Sequence, residues 1–231
     1  MKTNQINNRN KKLMIVLFVF TTFLTLFLYH ISDILKSETN TIGEISQTLQ
    51  IHSVVAAIDN QRTMSINKVA DIISRYNRTI PQEQKTAIAT EIYLMSQKYP
   101  NLNIDFIAAT ITHESASTWD PTVISRVGAI GLMQIMPTTG AFLAAEEGIE
   151  WTTDNILYDP IVNIRLGCRY LSEMVNMYEK DGGLAAYNGG PKIAELWLAS
   201  DRNNSILWAE TRDYVPAVLK LYNEFRTQGS L

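Results

Sequence analysis

Residues 103–121 read NIDFIAATITHESASTWDP, and this stretch decides the fold. Phe106, Ile107, Ala108, Ala109 and Ile111 leave almost no polar side on a helix of this length, so the helix requires burial all round. Asn103 or Asp105 supplies a start signal. The apolar run stops at Glu114, which places a carboxylate at the C-terminal end of a buried helix. Beyond it, residues 128–137 read GAIGLMQIMP, a glycine-punctuated turn that feeds a second helix, with Gln134 expected at its start.

Working outward, the same helical logic covers the chain. Thr79 as cap, Pro81 in a first turn and Glu83 at the positive helix end open a helix that buries Ile88, Ile92 and Met95. Asp159-Pro160 opens another, with Ile161, Ile164, Tyr170, Leu171, Met174 and Tyr178 as its burial candidates. Asp181-Gly182-Gly183 is its expected stop. Helices near Pro191–Leu198 and Glu210–Phe225 complete the set. Apolar residues nowhere alternate with period two, so the reading is all-α, with a small hairpin or irregular turn near Ile149–Leu157.

Four motifs carry a family resemblance. They are His113-Glu114-Ser115 with Gly128–Pro137, Asp159-Pro160-x-x-Asn163-Ile164-x-x-Gly167-x-x-Tyr170-Leu171, Ala186-Tyr187-Asn188-Gly189-Gly190 and Glu210-Thr211-Arg212-Asp213-Tyr214-Val215. In this order they resemble the soluble-lytic-transglycosylase (SLT) domain family, from about Pro81 to Tyr222. Two departures stand out: Gly189 replaces an alanine, and Ser117-Thr118 lengthens the loop before Trp119. The resemblance implies a lysozyme-like, goose-type helical domain with a central cleft that acts on the glycan strands of peptidoglycan. It implies cleavage of the MurNAc–GlcNAc β-1,4 bond by a single glutamate, Glu114, as acid and then base. The sugar's N-acetyl group stabilises the positive charge, and its 6-hydroxyl attacks to give a 1,6-anhydro end. Ser115, Met133, Gln134, Tyr187, Asn188 and Glu210 are the implied substrate-binding positions, and no metal or cofactor is called for.

The residues argue for the same acid. A glycosidic leaving oxygen needs a proton, and a carboxyl supplies it best when its pKa is raised toward neutrality. Burial and the negative end of a helix dipole both raise it. Tyr187 could orient Glu114 or contact the charged ring, and Tyr214 reads as core or cleft wall. Glu210 could hold Arg212 or tune the site. Trp119 could stack on a sugar, though an aromatic there more often pins its loop. His113 reads as packing or surface, and three histidines in all offer no metal-ligand cluster.

Ahead of the domain, residues 13–31 carry no charge and span about 28 Å as a helix, close to the hydrocarbon thickness of a bilayer. Lys2, Arg9, Lys11 and Lys12 precede them without any acid. The expected order is a basic cytoplasmic tail (1–12), a transmembrane anchor (13–31), a stalk (32–80) with Ile42, Ile45 and Leu49 at helical spacing, and a catalytic domain (81–225). By the positive-inside rule the tail stays in the cytoplasm. With a peptidoglycan substrate, that implies a single-pass bacterial inner-membrane protein with its catalytic domain in the periplasm. After the tail, 16 basic residues face 23 acidic ones, which excludes a nucleic-acid binder. The lone Cys168 excludes an intrachain disulfide and reads as a buried, inert thiol. A secretion, conjugation or phage assembly machine remains an open partner. A goose-type lysozyme-like hydrolase and a non-catalytic peptidoglycan-binding module remain the alternative functions.

Overall fold

A computed structural model describes residues 2–227, with the side chains of 11–39, 43 and 45–227; Lys2, Arg9 and Ile42 lie outside the described side chains. The helices are α1 (Lys2–Tyr76), α2 (Gln82–Lys98), α3 (Ile104–Glu114), α4 (Pro137–Glu146), α5 (Pro160–Gly189), α6 (Pro191–Ala199) and α7 (Ala209–Thr227), with a short 3-10 helix at Asp154–Tyr158. The described residues hold no strand, only isolated antiparallel bridges pairing Ile130 with Ile124 and with Ile135. The all-α expectation holds, and an irregular segment with the 3-10 helix stands where a hairpin was one option.

The chain divides into two units, Met1–Asp59 and Asn60–Leu231. In the first, α1 presents Lys11–Thr39 as a stretch long and apolar enough to cross a membrane, none of it buried within the structure. No proline interrupts the sequence before Pro81, which is why the helix runs through the expected stalk. The second unit takes in residues 60–80 together with the rest of the chain. The reason is burial: Val69, Ile72 and Ile73 are fully enclosed, and each such side chain contributes roughly 1.5–3 kcal/mol. Tyr76 adds an edge-on contact to Phe225 at 6.3 Å between ring centres.

Helix α3 is the axis of this second unit. Every residue from Phe106 to Thr112 is buried, with α2 and α7 packed against it. Asn103, rather than Asp105, caps it by accepting the Phe106 N–H at 2.9 Å. Thr79 does not cap α2; it donates to Asn77 Oδ1 instead, and Pro81 precedes the first turn. Asp159 caps α5 through the N–H groups of Ile161 and Val162. Helix α5 does break, at Glu179 (φ 62°), but it resumes rather than stopping at Gly182-Gly183. Gly183 serves close approach: a Cβ there would lie 2.7 Å from Val175 Cα. The resumed segment therefore returns against α5 itself and carries Tyr187 and Asn188 at its end.

One buried side chain organises the turn between α3 and α4. Asn163 donates to the carbonyls of Ile130 (2.9 Å) and Leu157 (3.0 Å) and accepts the Met133 N–H at 2.8 Å. Substituting Asn163 by leucine strands the Met133 N–H and the Leu157 carbonyl, each worth about 1–3 kcal/mol when left unpaired, while the Ile130 carbonyl keeps the Ile135 N–H. Urea denaturation of Asn163→Leu should therefore show a loss of roughly 2–5 kcal/mol.

Candidate active site

Glu114 is the last residue of α3, and Ser115 closes the helix behind it. Tyr214 Oη donates to Glu114 Oε1 at 2.7 Å. Burial is the main influence on the carboxyl and pushes it up to about 8; the Tyr214 hydrogen bond opposes the rise, and the negative charge of Glu210 adds to it. The hydroxyl of Tyr214 is itself driven well above the ordinary tyrosine range, by burial first and by the Glu114 charge second. His113 packs edge-on against Tyr214 at 4.8 Å, and burial lowers its pKa, so it is neutral at pH 7.

Tyr214 is the partner of Glu114 that the sequence reading under-rated. Its signal lay in the spacing of the last motif. Glu210 and Tyr214 are four apart, so they share one face of α7. That face brings one the charge and the other the hydrogen bond that act on Glu114. Glu210 is exposed in the first turn of α7. Tyr187 lies within electrostatic reach of Glu114 and its hydroxyl is pushed well above the usual range. Its hydrogen bond, however, goes to the Met133 carbonyl at 2.7 Å, so the orienting contact belongs to Tyr214 instead.

Other candidates fall on either side of the surface. Ser115 and Met133, expected to line the cleft, are both fully buried. Ser115 Oγ donates to Ile111 O (2.7 Å) and accepts the Trp119 N–H (3.1 Å), a loop-building role. Met133 packs on Gly167 and sits 3.9 Å from the buried Cys168 sulfur. Gln134 is not at a helix start, because α4 begins at Pro137. It occupies a left-handed position (φ 48°) that closes the turn from Gly131. Its Nε2 is committed to the carbonyls of Gly131 (2.8 Å) and Val123 (3.2 Å), so toward a ligand it can offer only its Oε1 as an acceptor. Asn188 is half-buried in the last turn of α5. Next to it, a Cβ on Gly189 would lie 2.7 Å from Thr211 Oγ1, so Thr211 fills the space of the missing methyl. Trp119 is fully buried, with Nε1 bonded to Thr112 Oγ1 at 3.1 Å, and stacks on no sugar. The exposed indole is Trp208, at 66%, two residues before Glu210.

The loop after Glu114 is strained. Ala116, Ser117 and Trp119 all adopt left-handed backbone (φ 50°, 63° and 52°). Each such non-glycine residue costs about 1–2 kcal/mol, which Trp119 burial and the local hydrogen bonds offset.

The Transglycosylase SLT domain family matches residues 91–207, half of the chain, and the chain belongs to that family. The soluble lytic murein transglycosylase of Escherichia coli K12 is 37% identical over 114 residues, which cover 45% of this chain and 18% of that one. The membrane-bound lytic murein transglycosylase C of Edwardsiella ictaluri is 30% identical over 105 residues, 40% of this chain and 29% of that one. Among solved structures, an inactive mutant of the lytic transglycosylase Slt from Pseudomonas aeruginosa superposes with a TM-score of 0.53 at 31% identity, covering 60% of this chain and 24% of its own. The chain spans about a fifth of the length of the soluble relatives it matches.

The raised carboxyl predicts a pH-dependent stability with a definite sign. Below the ordinary value of 4.5, Glu114 is protonated in both the folded and unfolded states and contributes nothing. Between 4.5 and about 8 only the folded state holds the proton, so stability falls as pH rises through that window. Glu114→Gln should raise the unfolding free energy at pH 8.5 by roughly 2–5 kcal/mol and leave it unchanged at pH 4, as measured by denaturation at the two pH values.

Proposed function

We propose that this chain is a membrane-anchored lytic transglycosylase that cleaves the MurNAc–GlcNAc β-1,4 bonds of peptidoglycan and leaves 1,6-anhydro-muramic acid ends. The observation that carries the reading is Glu114: a half-buried carboxyl, raised to about 8, bonded to Tyr214. At neutral pH it is protonated and can donate to the leaving glycosidic oxygen. The C1–O4 bond breaks, the oxygen departs with that proton, and positive charge develops at C1 of the muramic acid. Glu114 is now a carboxylate, which the Tyr214 hydroxyl stabilises. It accepts the proton of the same sugar's 6-hydroxyl as that oxygen bonds to C1. The ring closes and the acid is restored. Intramolecular attack competes well with water because the hydroxyl is already in place.

The second carboxylate near the acid is Glu210, which is exposed and raises the Glu114 pKa by its charge. A hydrolytic reaction would require such a group to activate water, so Glu210 is what favours the lysozyme-like alternative. Asp120 and Asp159 are occupied elsewhere. Asp120 accepts from Thr122 N (2.8 Å) and Oγ1 (2.7 Å), and Asp159 caps α5. A pure binding module would have no use for a carboxyl held protonated at neutral pH. In this reading Gln134, Tyr187, Asn188 and Glu210 contact the glycan, and Trp208 offers an aromatic face at the first turn of α7.

The anchor reading rests on Lys11–Thr39, the apolar helical stretch without internal burial, and on Lys11 and Lys12 at its start. The positive-inside rule then puts the catalytic unit on the periplasmic side of the inner membrane.

Digestion of purified sacculi, resolved by mass spectrometry, tests the chemistry. The earliest muropeptides should carry anhydro ends, about 18 Da lighter than hydrolysis products because no water is added. Glu114→Gln should slow release by at least ~10²-fold, and wild-type cleavage should decline as pH rises past about 8, where the acid loses its proton. Reducing-end products from the start would indicate the hydrolase instead. Carbonate extraction of cell membranes should leave the full-length chain in the pellet; recovery in the soluble fraction would remove the anchor.

A further inference from the structure

We propose that Asn77, which follows α1 directly, is a positioning residue for Glu114, acting through the two residues that lengthen the neighbouring loop. Asn77 Nδ2 donates to the Thr118 carbonyl at 2.7 Å. Its Oδ1 accepts from Thr79 N (3.0 Å) and Thr79 Oγ1 (2.7 Å). Its own N–H bonds to Ile73 O at 2.7 Å, and Ile73 is fully buried, so the tether starts from fixed ground. At the other end, Thr118 Oγ1 donates to the Ser115 carbonyl at 2.6 Å, and Ser115 is bonded covalently to Glu114.

This path runs from core to carboxyl in four links, and Thr118 supplies the carbonyl that Asn77 grips. A loop with three left-handed residues tends to relax, and the tether opposes that motion. Relaxation would open the Glu114 carboxyl to water. The groups that face the carboxyl are Tyr214 and Glu210 on α7 and Tyr187 on α5, with His113 packed beside Tyr214 on α3 itself. His113 holds the loop through its carbonyl, which accepts the Ala116 N–H at 3.0 Å within the same stretch of chain, whereas Asn77 grips it from beyond α1. The effect on turnover rests on the transglycosylase reading; the positioning itself does not.

The test uses the full chain in detergent with Asn77→Asp and Asn77→Ala. Aspartate can still accept from Thr79 but cannot donate to the Thr118 carbonyl, so it isolates the tether. Glu114 is titrated by carbon-13 NMR of its side-chain carboxyl, identified by its loss in Glu114→Gln. Both variants should lower the midpoint by about one pH unit, because water reaches the carboxyl. The added charge in Asn77→Asp would raise the midpoint, so a fall cannot come from that charge. On purified peptidoglycan, kcat should drop about 10- to 100-fold with KM unchanged. An unchanged or raised midpoint in a folded Asn77→Asp protein overturns the proposal whatever the turnover, and so does a fall confined to Asn77→Ala. A wild-type chain whose Glu114 titrates high but which cuts no peptidoglycan would overturn the functional reading instead, and the NMR result would still decide the role of Asn77.

Discussion

The second unit is arranged around a half-buried carboxyl at the end of its central helix. Helix α3 is buried on all sides, and its last residue is Glu114. The carboxyl meets two opposing influences. Burial and the Glu210 charge hold the proton on, while the Tyr214 hydroxyl favours releasing it. In the proposed reaction that outcome near neutrality is useful, because a group that donates and then retrieves a proton works best when neither state is strongly preferred. Tyr214 serves both states. It keeps the buried acid from being an unpaired polar group, and it steadies the carboxylate once the proton has gone.

Holding the carboxyl in place falls to the loops, and their stability comes from buried polar contacts more than from regular structure. Asn163 satisfies three backbone groups from two different segments, which fixes the turn that ends in Gln134. On the other side of Glu114, Trp119 fills the core while its backbone is left-handed. The strain there is sustained because Ser115, Thr118 and Thr112 bond to the same few residues. Both loops therefore combine an unfavourable local backbone with a favourable buried contact, a pattern that accompanies functional sites.

Much of this was legible in the sequence. The apolar run ending at Glu114 required a buried helix, and composition and periodicity required an all-helical domain. Helices α2, α3, α6 and α7 lie close to where apolar spacing and proline signals put them, because α-helices depend on contacts three and four residues apart, which a sequence displays directly, whereas α5 runs past its expected glycine stop and α4 starts three residues after Gln134. The motif order pointed to the family.

What the sequence left open were facts about neighbours distant in the chain. Tyr214 lies 100 residues from Glu114, and only the packing of α7 on α3 shows that it, rather than Tyr187, bonds the acid. Ser115 and Met133 stand in motifs beside the acid, yet whether a motif residue faces the cleft or the core depends on where the chain turns next, and both turn inward. The end of α1 lends Val69, Ile72 and Ile73 to a core built by the rest of the chain, and only packing shows how fully they are enclosed. The sequence by itself determined which residues are apolar, in what period, and which carboxylate ends the buried helix. The tertiary structure alone decided how much water that carboxylate sees and which hydroxyl it meets, because desolvation and long-range hydrogen bonds exist only once distant segments pack together.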